Sequence, residues 1–352
     1  MSRKWSVMSL LWLSIVVVVV LAGCATREDD YEGAQDSASR SSSFPMTVDN
    51  CGRQVTIESP PQRAVSLNQG STEILLSLGL ADRMVGTATW TDPIRENLAP
   101  ENARVPRLAD NKPALESVLD ADPDFVSASF SSTFAEGGDS GRDQFEALGI
   151  PTYLPPTDNG CDGAVSSAAN ADGARAEPLR IEMIYNEIRD LAAIFDVRDR
   201  GEKFIAELQQ RYSAASDTVR AEGVSLAFWF ADTKTPYVAG CCGASGMIAS
   251  ALGATNVFAD AKDEWPQVSW ESVADRNPTA LVLGDLSRRS TDGDALDSKI
   301  SFLETNAATK NLDAVKNKRY IVVNGADMNP SIRTIDGIEK VSAALHGWGL
   351  TT

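Results

Sequence analysis

Apolar positions along this chain fall into two alternating rhythms. Short, mostly apolar blocks at 64–67, 84–88, 125–128, 152–154, 225–230, 280–283 and 320–323 read as buried strands. Between them, apolar residues recur every three to four positions. Ile181, Ile184, Tyr185, Ile188, Leu191 and Phe195 share one helical face. Phe204, Leu208, Tyr212, Ala215 and Val219 line another, on a helix expected over 199–222. At 1.5 Å per residue that helix would reach roughly 35 Å, enough to cross between two lobes. A capped helix is expected at 71–79, with Gly79 as its stop, and others near 246–252 and 331–345. Residues 47–57 alternate like a hairpin turning at Asn50-Cys51-Gly52. Strands alternating with helices predict an α/β fold: two lobes with central parallel sheets flanked by helices, joined by one long crossing helix.

One pattern occurs twice. Glu116-Ser117-Val118 opens a short helix, Pro123 follows seven residues after the glutamate, and an apolar strand comes next. Glu271-Ser272-Val273 and Pro278 repeat the arrangement, and each copy is preceded by a helix ending in Leu-Gly, at Leu78-Gly79 and Leu252-Gly253. No short tandem period accompanies it, so the reading is a duplicated lobe and not a solenoid.

Composition and charge narrow the class. A chain of 352 residues with 43% hydrophobic content suffices for two ordinary cores. A net charge of −17, with no basic cluster past residue 23, excludes nucleic acid as a partner and disfavours anionic lipid headgroups. Membrane attachment therefore needs another device, and the N-terminus supplies one. Arg3 and Lys4 precede an apolar run at 10–21, shorter than a comfortable span, so residues 1–23 read as a signal peptide. Leu21-Ala22-Gly23-Cys24 resembles the bacterial lipobox, which implies that Cys24 is diacylated and becomes the mature N-terminus. Residues 24–44 then form the lipidated cysteine and a Ser-rich flexible tether. The expected divisions beyond it are a first lobe at 45–198, the crossing helix at 199–222 and a second lobe at 223–352. Export places Cys51, Cys161, Cys241 and Cys242 in an oxidising compartment. Four cysteines allow three pairings; the favoured one joins Cys51 to Cys161 and the neighbours Cys241 and Cys242 to each other.

Taken together, these features resemble the substrate-binding lipoproteins of siderophore and cobalamin ABC importers, the class III periplasmic-binding family, over about residues 45–350. The motifs that carry the resemblance are Trp265-Pro266-Gln267-Val268-Ser269-Trp270-Glu271, Ser71-Thr72-Glu73-Ile74-Leu75-Leu76-Ser77-Leu78-Gly79, Pro123-Asp124-Phe125-Val126 and Pro330-Ser331-Ile332-Arg333, in that family's order along the chain. The resemblance implies that Glu116 and Glu271 form salt bridges to arginines of the membrane-spanning permease subunits. A carboxylate at a helix start also stabilises the helix, by about 0.3–1 kcal/mol, and both roles can hold together.

In paired α/β lobes a ligand binds where the carboxyl ends of the strands face each other. Asn68, Gln69, Trp90, Arg107, Ser129 and Phe130 lie on such loops of the first lobe. Tyr237, Trp265, Asp285, Arg288, Arg289, Asp327 and Arg333 lie on those of the second. Aromatic faces hold the flat parts of a chelate and arginines neutralise its oxygens, which singles out Trp90, Trp265, Tyr237, Arg107, Asp327 and Arg333 as the ligand set. Trp90, Tyr237, Trp265 and Asp327 match positions that touch ligand in the cobalamin-binding member. Two tryptophan positions of that member fall near Ala109-Asp110 and at Ser129, so two stacking surfaces are missing and an iron(III)-siderophore is favoured over cobalamin. Haem held by tyrosine stays open. His346 is the only histidine, so neither a bare metal site nor a resident cofactor is expected. No Gly-x-Ser-x-Gly elbow or phosphate-cradling glycine loop supports an enzyme. The expected protein is a lipid-anchored monomer on the extracytoplasmic face of the cell membrane; a cell-envelope interaction protein on the same fold is the alternative.

Overall fold

The central strands of both parallel sheets are buried on both faces, as the apolar blocks require, while the edge strand at 320–324 leaves Val322 exposed. The computed structural model describes residues 44–134, 140–158, 161, 173–175, 177–217, 219–287 and 291–351. The signal segment, Cys24, the tether and Arg288-Arg289 lie outside the described residues. A hairpin of β1 (Met46–Asn50) and β2 (Arg53–Ile57) opens the chain. The first lobe then contributes β3 (Ala64–Ser66), β4 (Met84–Thr87), β5 (Phe125–Ser127) and β6 (Thr152–Tyr153), ordered β4-β3-β5-β6 with every pairing parallel. Ala64 and Phe125 enter one core with Ile74, Leu78, Ile184 and Ile188. Their neighbours Val65 and Val126 enter the opposite core with Val118, Phe134 and Phe145. Period-two alternation thus serves two apolar layers at once.

The second sheet repeats the scheme with one departure. Its strands are β7 (Ser225–Ala231), β8 (Tyr237–Val238), β9 (Thr255–Asn256), β10 (Ala280–Asp285) and β11 (Tyr320–Asn324). They run β11-β10-β7-β8, with β9 also pairing β7. The expected all-parallel sheet gains one antiparallel edge strand, β8, because Asp232 to Pro236 returns the chain directly beside β7. Leu226, Phe228, Ala280 and Val282 face one core, and Ala227, Trp229, Leu281 and Leu283 face the other. Phe228 and Trp229 are therefore both core residues, one in each apolar layer.

The helices are α1 (Gln69–Ser77), α2 (Ala99–Asn102), α3 (Leu115–Leu119), α4 (Ser140–Ala147), α5 (Ile181–Ile194), α6 (Arg198–Ser216), α7 (Ala244–Ala251), α8 (Trp270–Arg276), α9 (Leu296–Thr305), α10 (Asp313–Lys316) and α11 (Arg333–Gly347). The capping hydroxyls expected at 71–72 act differently from a cap. Helix α1 starts at Gln69, and the Ser71 hydroxyl bonds that of Ser127 at 2.6 Å, tying helix to sheet. Helix α6 is 19 residues long, roughly 28 Å, and ends short of the expected 222. Arg220 Nη1 donates to the carbonyls of Ser216 and Val219, satisfying them without another helical turn. Val219 still reaches the second lobe's core.

Helix α6 contributes Ile205 and Leu208 to the first lobe's core and Ala215 to the second's. The first core also takes Ala244, Met247, Ile332 and Ile335 from the C-terminal half. A shared apolar core of this kind limits hinge motion compared with lobes joined by a bare linker. Cys51 and Cys161 are bonded across 110 residues, a constraint worth about 4–5 kcal/mol in the chain-entropy model, and the neighbours Cys241 and Cys242 are bonded to each other. Between the lobes, buried Arg175 donates through Nε to Glu264 Oε2 at 2.8 Å, and Leu179 N–H donates to the Cys242 carbonyl at 2.8 Å.

Candidate ligand-binding cleft

The loops that follow β3, β4 and β5 face those that follow β10 and β11, carboxyl edge to carboxyl edge. Two adjoining cavities occupy the space between them. The smaller, about 210 Å³, is lined by Asn68, Gln69, Ser129 and Phe130 of the first lobe and by Ala326, Asn329 and Ser331 of the second. The larger, about 530 Å³, is lined by Trp90, Asp92, Arg107, Asp110, Asn111 and Ser287. Thr91 belongs to both walls.

Hydrogen bonds hold these loops in place before any ligand arrives. Asn68 Oδ1 accepts from the Ser129 backbone N–H at 2.8 Å, and Ser129 Oγ accepts from the Ser71 N–H at 3.0 Å. The Gln69 side chain fastens the loop after β4. Its Oε1 accepts from Thr91 N–H at 3.2 Å and Asp92 N–H at 3.0 Å, while Nε2 donates to the Pro93 carbonyl at 3.2 Å. Gly70 sits where the lobes pack tightly: a Cβ there would lie 3.0 Å from Ser129 Oγ and 3.2 Å from Ser331 Cβ. Bonds among the described residues also cross the cleft. Ser287 Oγ donates to the Thr91 carbonyl at 2.7 Å, and Ala326 N–H donates to Asp92 Oδ2 at 2.7 Å.

At the mouth of the larger cavity the Arg107 guanidinium lies 4.4 Å from the centroid of the Trp90 ring. Its Nη1 pairs with Asp110 Oδ1 at 3.0 Å, on a largely exposed surface. Thr89, just before Trp90, takes a φ of +54°, a conformation a non-glycine residue seldom adopts. In this short loop Thr89 Oγ1, Trp90 Nε1 and Asp92 Oδ1 are all buried without a hydrogen-bond partner. Burial pushes the Asp92 carboxyl above its ordinary range, against the pull of the Ala326 and Ser287 backbone N–H groups and of Arg333. Unused buried polar atoms cost free energy, and three of them fall within this one short loop.

The cleft brings together Asn68, Gln69, Ser129, Phe130, Trp90 and Arg107, and leaves out others that were expected. Arg333 is buried against Glu73, with Nε 2.8 Å from Oε2 and Nη2 2.5 Å from Oε1. Burial works to lower the Arg333 pKa, but the Glu73 carboxylate outweighs it and the pKa is raised. Its charge is spent joining α11 to α1. Asp327 is fully buried, accepts the Asn324 N–H at 2.9 Å and pairs with Lys340, which makes it an internal capping residue of the second lobe. Burial raises its pKa although Lys340 pulls the other way. Trp265 packs on Phe230 with ring centroids 4.9 Å apart, and Tyr237 is partly buried beside the same core. Neither lines either of these two cavities. Asp285 accepts the Leu296 N–H at 3.1 Å, a helix-start role. Thr91, Asp92, Ser287, Asn329 and Ser331 were missed; each lies within a few residues of a strand's carboxyl end, which was the available signal.

Glu116 and Glu271 are both exposed, and each is the second residue of its helix. Trp270 Nε1 donates to the Thr233 carbonyl just past β7, and Trp90 N–H donates to the Asp110 carbonyl shortly before α3. Both helices therefore begin near the cleft edge of their sheet. Among the described residues no cluster of three or more His, Cys, Asp or Glu could hold a metal ion, and no helix is long and apolar enough to cross a membrane.

A family model for periplasmic binding proteins matches residues 65–325. YvrC of Bacillus subtilis, an uncharacterized ABC transporter substrate-binding lipoprotein, is 25% identical over 345 residues, 96% of each chain. The vitamin B12-binding protein of Yersinia pestis is 24% identical over 226 residues, covering 63% of this chain and 69% of its own. A solved structure of an ABC-type Fe3+-hydroxamate transport system from Saccharomonospora viridis is similar with a TM-score of 0.68 at 25% identity, covering 86% of this chain and 99% of that one.

Proposed function

This chain belongs to the periplasmic binding protein family, and from that premise we propose that it captures an iron(III)-siderophore between its lobes and hands it to the permease of an ABC importer. The mechanism is binding and delivery without chemistry. The observation that carries the ligand reading is the make-up of the cleft: hydroxyl and amide groups beside Phe130 in the smaller cavity, and a single aromatic face, Trp90 under Arg107, in the larger. Such walls suit a compact chelate with many peripheral oxygens. A corrin ring calls for more stacking surface, and Ser129 is bonded into the loop framework where a second aromatic face would stand. Haem is disfavoured too, since among the described residues neither cavity is lined by tyrosine or histidine. The hydroxamate transport structure supports the same choice.

Lipidation at Cys24, supported by the likeness to a lipoprotein, would tether the protein on the outer face of the cell membrane. Glu116 and Glu271, exposed at matching helix positions near the cleft edge, are the groups proposed to meet permease arginines. Tryptophan-fluorescence titration of the purified protein against ferric hydroxamates, catecholates and carboxylates, with cobalamin and haem alongside, tests the ligand. Saturable quenching by a ferric chelate is expected. Quenching by cobalamin or haem alone overturns the siderophore reading, and quenching by none overturns the transport reading.

A further inference from the structure

We propose that Asp92 selects ligands by charge, and that the chelate bound here carries a protonated amine on its periphery. This rests on the siderophore reading and takes it one step further, to the ligand's charge. Asp92 is 4% exposed, yet only half of its carboxylate is used. Oδ2 accepts the Ala326 N–H and so holds the group between the lobes, while Oδ1 has no hydrogen-bond partner on a residue that lines the larger cavity. A buried carboxylate oxygen left idle is costly until a donor arrives.

Among the described residues, the nearby cations are committed elsewhere. Arg333 is held by Glu73, Arg95 pairs with Asp336 at 3.3 Å, and Lys112 donates to the Ser132 carbonyl at 2.7 Å. Arg107 is paired with Asp110 and covers Trp90. Among the described residues lining the larger cavity, Arg107 and Asp110 balance, and Asp92 leaves one negative charge in excess. A primary ammonium offers up to three N–H donors to Asp92 Oδ1. A carbonyl or hydroxamate oxygen on the same arm would answer the buried Trp90 Nε1, which has no acceptor. A chelate bearing a free carboxylate would instead meet repulsion.

The test uses the full lipoprotein in detergent and two ferric complexes. One is a linear trihydroxamate ending in a free primary amine; the other is the same complex with that amine acetylated. Wild type is expected to bind the amine form roughly tenfold to a hundredfold more tightly, the range for one added charge-assisted hydrogen bond. In Asp92→Asn, which keeps an oxygen acceptor for Ala326 without the charge, that ratio should collapse toward one. Equal affinities in wild type, which need no variant to measure, overturn the inference and leave the siderophore reading standing. An undiminished ratio in Asp92→Asn overturns it as well. Binding of neither complex by a protein that binds another ferric chelate overturns this inference alone, and failure of every ferric chelate overturns the siderophore reading and this inference with it.

Discussion

Replacing Arg333 by alanine probes the joint between the lobes. The substitution removes the guanidinium from Glu73, a carboxylate with no exposed surface, and also removes the 2.7 Å bond from Arg333 Nη2 to the Pro93 carbonyl. Breaking a buried pair from one side costs about 3–5 kcal/mol, because the remaining charge is stranded. Glu73 would keep two longer bonds, from Gln69 Nε2 at 3.2 Å and Arg95 N–H at 3.3 Å, which places the expected cost near the lower end. At about 2.1 cal/mol/K of unfolding entropy per residue, a loss of about 3 kcal/mol lowers the Tm of a unit of roughly 300 residues by about 5 °C. Calorimetry on the purified variant reads this directly. The double variant Glu73→Leu/Arg333→Met removes both charges and should recover most of the loss. A Tm within about 1 °C of wild type for Arg333→Ala, or a double variant less stable than the single one, would refute the view that this pair fastens α1 to α11.

Three further outcomes are expected. Charge reversal at both Glu116 and Glu271 should abolish uptake by cells while the purified protein still binds ligand; loss of binding in vitro would count against docking. Trp90→Phe should remove most of the ligand-induced fluorescence quench, and a quench of wild-type amplitude would place the ligand elsewhere. Burial, with Asp190 adding to it, pushes Glu187 up to about 8. The folded state thus keeps a proton that the unfolded state releases above the usual carboxylate range. Stability should therefore fall by a few kcal/mol, roughly, as pH rises from about 4.5 to about 8. Glu187→Gln should flatten that slope and be the more stable protein at pH 8, and an unchanged slope in denaturant melts across this window would show that the burial does not matter.

The strands and their two-sided burial were legible because apolar blocks such as 280–283 leave no polar face to turn toward water. Element ends were less so. Val219 keeps helical spacing and reaches the core, yet lies past the last turn of α6, since periodicity reports burial and not hydrogen bonding. The cleft was half legible. Strand-end loops identified Asn68, Gln69, Trp90, Arg107 and Ser129, but whether a charge on such a loop meets ligand or an opposite charge depends on residues far along the chain. Arg333 meets Glu73 across 260 positions, and Asp327 meets Lys340 inside its own lobe. Asp92 escaped notice for the converse reason. Within Trp90-Thr91-Asp92-Pro93 it reads as a turn residue, and only the fold brings Ala326 to one of its oxygens.

The apolar core under the first sheet is closed by Ile332 and Ile335, and its buried glutamate is neutralised by Arg333, all near the far end of the chain. During synthesis, then, one of the two apolar layers of the N-terminal half stays open until the last helix has left the ribosome, while the other closes with its own residues. In a chain exported as proposed, that late closure would delay native folding while the leading segment is being threaded out of the cell, and would let the two lobes set together on the far side.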